Sequence, residues 1–180
     1  MANALPRLDK SIVLVGLMGA GKSTVGRRLA RRLGLPFVDS DEEIEKAAGH
    51  KIAEIFDRFG EPGFRDGERR VIARLIDGKP KVIATGGGAF VDDRTRSLIL
   101  EKCIAVWLDA DVETLAERVS RRDHRPLLQG KEPLPLLEAL AAQRNPIYAE
   151  AHLHILSGSV PHERAVGRIV DALADGEAVP

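Results

Sequence analysis

The chain has 180 residues, 27 basic and 27 acidic side chains and 44% hydrophobic residues. That length suits one domain with a sizeable core, and the even charge with this apolar content excludes a disordered chain or a strongly basic nucleic-acid binder. Cys103, the single cysteine, excludes an internal disulfide and reads as a buried structural thiol, while residues 1–10 lack an apolar signal core and no apolar run nears the ~20 residues of a membrane span.

In chain order, the apolar run at 11–15 predicts a first strand. A helix is predicted over 22–33, with Val25, Leu29 and Leu33 on its inner face and Gly34 as its stop. Residues 35–39 read as a second strand, ending in an Asp-Ser-Asp-Glu-Glu cluster. From 44 to 77 the pattern is helical, broken at Gly49, Gly60 and Pro62-Gly63. A third strand over 81–85 ends at Gly86-Gly87-Gly88, and a short helix follows over 93–101. A fourth strand spans 103–109, and Asp111 caps a helix reaching 122. Residues 122–135 read as a surface segment that acts as a lid. Helix returns over 136–148, a fifth strand over 152–156, and a last helix over 161–174. Short strands alternating with helices predict an α/β doubly wound fold: a five-stranded parallel sheet in one domain over 1–180, its core at 11–174. A ligand then belongs at the carboxyl ends of the strands.

Residues 16–24 read G-L-M-G-A-G-K-S-T directly after the first strand. This is G-x-x-x-x-G-K-S between a strand and a helix, the setting a phosphate-binding loop requires. Gly16, Gly19 and Gly21 let successive backbone N–H groups point into one concavity, and the following helix adds its positive end. Lys22 supplies a point charge for the β- and γ-phosphates, and the Ser23 hydroxyl can ligate Mg²⁺. The motif implies a nucleoside triphosphate.

The rest of the chain narrows the branch. The two asparagines, Asn3 and Asn145, do not precede a lysine, so the base-reading Asn-Lys-x-Asp of a GTPase is missing. The chain is also too short for a motor or transporter ATPase. A small kinase remains, moving a γ-phosphoryl group to a small acceptor by positioning and charge neutralisation. Arg65 and Arg144, if they converge, would clamp a carboxylate through paired N–H donors. Asp41 would hold hydroxyls and accept the proton of the attacking one. Gly86 to Gly88 leave room for a close-packed ring. The inferred acceptor is a small polyhydroxylated acid. Asp39 and Asp41 also suit a helix cap, and one carboxylate can cap while the other faces the cleft. His162 reads as a surface residue.

Six segments resemble the shikimate kinase family: 16–24, Asp-Ser-Asp at 39–41, Gly-Glu-Pro-Gly-Phe-Arg-Asp-Gly-Glu at 60–68, Gly-Gly-Gly at 86–88, Arg-Pro-Leu-Leu at 125–128 and Arg-Asn-Pro-Ile-Tyr at 144–148. They keep the family's order from Gly16 to Tyr148. The resemblance implies a phosphate-loop kinase of nucleoside-monophosphate-kinase-like fold, phosphorylating the 3-hydroxyl of shikimate with MgATP. It assigns nucleotide binding to Gly19, Ala20, Gly21, Lys22, Ser23, Thr24, Arg118, Arg125 and Pro161, with Arg118 stacking on adenine. It places shikimate on Asp41, Arg65, Gly87, Gly88 and Arg144, and the metal at Ser23 with Asp39 in its outer shell. Lys22, Asp41 and Arg125 would be catalytic, Arg125 as the lid arginine. A cytoplasmic monomer is expected, with ATP and shikimate as its partners, no nucleic acid and no membrane. Rival readings are a kinase of gluconate or a nucleoside monophosphate, a non-catalytic nucleotide-binding module and an RNA-associated ATPase.

Overall fold

The apolar run after Lys10 becomes β1 (Ile12–Val15), whose four residues are all buried. In a computed structural model, which describes residues 7–121 and 130–176, this strand lies at the centre of one sheet. Its neighbours are β2 (Phe37–Asp39), β3 (Val82–Ala84), β4 (Ile104–Asp109) and β5 (Leu153–Leu156). The strand order is β2-β3-β1-β4-β5, and every pairing is parallel. A parallel sheet buried on both faces needs near-continuous apolar strands, which is why β1, β3 and most of β4 carry no polar face.

Helical crossovers cover the sheet. They are α1 (Lys22–Leu33), α2 (Ser40–Ala48), α3 (Ile52–Leu75), α4 (Asp93–Lys102), α5 (Val112–Ser120), α6 (Pro133–Tyr148) and α7 (His162–Ala174). The α1 bounds coincide with the predicted ones, and Gly34 ends it in the left-handed conformation with its N–H on Ala30 and Arg31 carbonyls. Asp111 caps α5 as predicted, accepting from the Thr114 N–H at 2.8 Å. Two helix starts differ from expectation by three residues or more. The helix expected from 44 begins at Ser40, because the Asp39 carboxylate supplies its cap. The helix expected from 136 starts at Pro133, where a proline at the first helical position sacrifices no hydrogen bond. The end of the segment expected as a surface lid is therefore helical.

Long helix α3 bends at Gly60, whose φ of 66° and ψ of −179° are not helical. Pro62, just past the bend, occupies a turn where its missing N–H costs little. The second limb then buries Phe64, Glu68, Val71, Ile72 and Leu75. Glu68 sits on that inward stripe where an apolar residue would be expected, at 1% exposure. Cys103 is buried, as read from the sequence, and burial pushes its thiol up to about 11. Among the described residues no helix is long and apolar enough to cross a membrane.

Candidate active site

The loop between β1 and α1 is shaped by glycine. Gly16, Gly19 and Gly21 have φ of 142°, 83° and 91°, values that favour glycine over any side chain. A Cβ on Gly16 would also lie 2.5 Å from the Leu108 carbonyl oxygen. Gly21 opens α1, and that first turn contains no acidic residue, so the positive helix end is not offset from within the helix. The Lys22 ammonium is buried and donates to the Gly16 and Leu17 carbonyls at 2.7 and 2.9 Å. Those bonds fold the lysine back over its own loop and hold its charge at the cleft.

Asp39, at the end of β2, serves two neighbours. One oxygen caps α2, accepting from the Asp41 and Glu42 N–H groups at 2.9 and 3.4 Å. The other accepts from the Ser23 hydroxyl at 2.8 Å. Asp41, one turn on, faces the cleft, its Oδ1 only 2.9 Å from where a Cβ on Gly86 would stand. The cap and the cleft roles thus fall to different carboxylates. A single cleft is lined by Gly19, Gly21, Lys22, Ser23, Thr24, Asp39, Asp41, Gly86, Gly87 and Arg118. Ala20 stands behind that wall, with its N–H on the Leu17 carbonyl at 3.3 Å.

The far rim of the nucleotide side is tied down by Arg118 on α5. Its guanidinium donates to Gly19 O at 3.1 Å and Gly158 O at 2.5 Å, joining the phosphate loop to the loop after β5. Sequence reasoning missed two residues of this rim, Arg121 and His162. His162, expected at the surface, is half-buried in the cleft wall, its Cε1 2.9 Å from where a Cβ on Gly21 would be. The signal was available: it follows Pro161 at the start of a helix reached from the carboxyl end of a strand. Pro161 itself caps α7 and is exposed, outside the cleft lining. Arg125 lies outside the described residues.

The two predicted arginines do converge, on the triple glycine. A Cβ on Gly88 would collide with the Arg65 guanidinium, and one on Gly87 would sit 3.4 Å from Arg144 Nη1. Glycine here lets both guanidiniums lie directly on the backbone; a side chain would have to push them aside. Arg65 lies against the ring of Phe64, which is stacked on Phe56 at 4.6 Å. Its Nη1 donates to Glu68 Oε1 at 2.7 Å and its Nη2 lies 3.5 Å from Glu61. Glu68 was given no role from sequence, although the i, i+3 spacing to Arg65 on a helix signals the pair. Burial lifts its carboxyl to about 7, with Arg65 pulling it down and Asp41 and Asp92 pushing it up. Among the described residues the second Glu68 oxygen has no hydrogen-bond partner.

The arrangement therefore joins an anion cradle to a neighbouring wall of two guanidiniums, one carboxylate and bare backbone. Comparison with known proteins agrees with this pairing. The family model for shikimate kinase matches residues 18–174. A shikimate kinase from Caulobacter vibrioides is 61% identical, covering 96% of this chain and 86% of that protein. A shikimate kinase from Zymomonas mobilis is 57% identical, covering 91% of this chain and 93% of that one. The structure of shikimate kinase from Acinetobacter baumannii in complex with shikimate superposes with a TM-score of 0.89 at 40% identity, covering 93% of this chain and 94% of the other. A gluconokinase from Sinorhizobium meliloti, at 22% identity and a TM-score of 0.58, shares the fold alone. The chain belongs to the shikimate kinase family and is an ATP-dependent phosphotransferase on a five-stranded, all-parallel phosphate-loop kinase fold.

Proposed function

We propose that the cleft transfers the γ-phosphoryl group of ATP to the 3-hydroxyl of shikimate, within one kinase domain acting as a cytoplasmic monomer. The observation that carries this reading is the meeting of Arg65 and Arg144 at Gly87 and Gly88, beside the phosphate loop. Two planar guanidiniums suit one planar carboxylate. Backbone without side chains lets a ring approach closely, and Asp41, against Gly86, lines the same cleft as Lys22.

Bound this way, the acceptor presents its hydroxyl to the γ-phosphorus. The oxygen forms a bond to phosphorus as the bond to the β-phosphate oxygen breaks, and ADP keeps that electron pair. Asp41 orients the hydroxyl and takes its proton. Lys22 and the N–H groups of the phosphate loop stabilise the charge on the transferring oxygens. Arg118 fixes the nucleotide rim, with Pro161 and Thr24 at its edges, and Arg125 is the resemblance's assignment for the second cation on the phosphate. The Ser23 hydroxyl, which donates to the Asp39 carboxylate at 2.8 Å, would supply a hard oxygen to Mg²⁺, with Asp39 orienting it from the outer shell. That ion would neutralise charge on the β- and γ-phosphates when bound.

The test is ADP production from MgATP with each acceptor in turn. Shikimate should raise ADP release far above the acceptor-free rate, while gluconate and nucleoside monophosphates leave it unchanged. An equal response to gluconate would remove shikimate as the specific acceptor.

A further inference from the structure

The sequence motif at 144–148 ends in Tyr148, the chain's one tyrosine, and the reaction as described uses only its arginine. Tyr148 is fully buried at the end of α6, its ring 6.5 Å from that of Phe90 and 6.0 Å from that of Trp107. A buried phenol keeps its oxygen near polar partners. Its polar neighbours belong to the acceptor wall. The hydroxyl donates to the Gly87 carbonyl oxygen. The Arg144 guanidinium lies beside that same glycine, with Nη1 3.4 Å from where a Cβ on Gly87 would stand, close enough to act on the phenol. One atom thus ties together the helix that carries Arg144 and the glycine turn after β3.

We propose that Tyr148 is a positioning residue for the acceptor's carboxylate, its hydroxyl fixing the Arg144 guanidinium and the Gly87–Gly88 peptide in one mutual orientation. This rests on the shikimate reading of the site. The need for such a device follows from the materials of the wall. A long arginine loses many rotamers when it is fixed, and a run of glycines leaves the backbone free to rotate. No peptide here is cis, so a Gly87 carbonyl aimed at Tyr148 turns the Gly88 N–H to the opposite side of the same plane. The aromatic cluster holds the hydroxyl from below. Burial and the apolar rings push the phenol's proton affinity up, while Arg144 pulls it back, so the hydroxyl remains a donor across neutral pH.

The experiment compares Tyr148→Phe and Arg144→Ala in the full-length enzyme. Tyr148→Phe keeps the ring and removes the tie; the shikimate KM should rise about ten-fold with the ATP KM unchanged. A general loss of packing would move both constants. If Arg144→Ala leaves the shikimate KM unchanged, the acceptor reading itself fails. If Arg144→Ala raises it and Tyr148→Phe does not, only the role of Tyr148 fails. Fluorotyrosine labelling supplies a readout that needs no substitution, since the chain offers one site. Its single fluorine resonance should move on addition of shikimate alone and stay in place with ATP alone. An unmoved resonance at saturating shikimate would overturn the proposal.

Discussion

The phosphate loop takes its ligand-facing groups from residues 16–24, nine consecutive positions, whereas the acceptor wall draws on Asp41, Arg65, Glu68, Gly86 to Gly88, Arg144 and Tyr148. The first is made by backbone geometry: three left-handed glycines and a helix end place its N–H groups, and the distant side chains that reach it, Arg118 and Ser157, tie down its carbonyls. The second is made by convergence. Arg65 needs the Gly60 bend, the buried Glu68 and a Gly88 without a side chain, and each comes from a different decision of the chain. The contrast predicts different vulnerabilities. Changes to the loop act on the nucleotide, while changes to the wall act on the acceptor, either directly or through supports such as Glu68 and Tyr148 that touch no substrate.

The largest expected effect comes from the loop. Lys22→Met should lower kcat about a thousand-fold by removing a preorganised positive charge from the transferring phosphate. Shikimate affinity, measured by titration without nucleotide, should be unchanged. A parallel loss of shikimate binding would mean that the two halves are not separable.

Glu68→Gln probes a support of the wall. The folded carboxyl holds its proton up to about 7, against an ordinary value of 4.5. Between those values the native state binds more protons than the unfolded chain, so this group's contribution to stability falls as pH rises through the window. Above about 7 the loss is complete and constant. The variant, with nothing to titrate there, should show a flatter stability curve from pH 4.5 to 7 in denaturant unfolding. Identical slopes in the two proteins would mean that Glu68 is not the raised group.

The smallest effect belongs to neither half. Gly67 lies within helical α3, and a Cβ there meets nothing within 4 Å. Gly67→Ala should therefore stabilise the protein by about 0.5–1 kcal/mol through helix propensity, with both KM values unchanged. A lower melting temperature would show that the position is strained.

The same division explains what could be read without coordinates. The phosphate loop and α1 were legible to the residue, because motif, apolar spacing and the Gly34 stop all lie within one short window. Strand identities were legible too, since buried parallel strands leave plain apolar runs. The start of α6 was not, because Pro133 and Pro135 together resemble a loop until Pro133 is recognised as a helix-opening residue. On the wall, Arg65 and Arg144 were nameable from their motifs. Their meeting at Gly87 and Gly88 depended on packing between α3, α6 and the turn after β3. Glu68 and Tyr148 went unassigned for a related reason. A tyrosine at a helix end acquires meaning only once Gly87, 61 residues back along the chain, is beside it, and the burial that gives weight to Glu68's i, i+3 pairing with Arg65 comes from the packing of α3. His162 was misread although its place after Pro161, at a helix start reached from the carboxyl end of β5, already pointed to the cleft.

The most direct measurement is calorimetric titration of Arg65→Ala with shikimate and, separately, with a non-hydrolysable ATP analogue. Loss of one charge-assisted contact from the wall should weaken shikimate binding about a hundred-fold and leave the nucleotide affinity as it was. Unchanged shikimate affinity in a folded variant would contradict the carboxylate clamp, and with it the assignment of the acceptor to this wall.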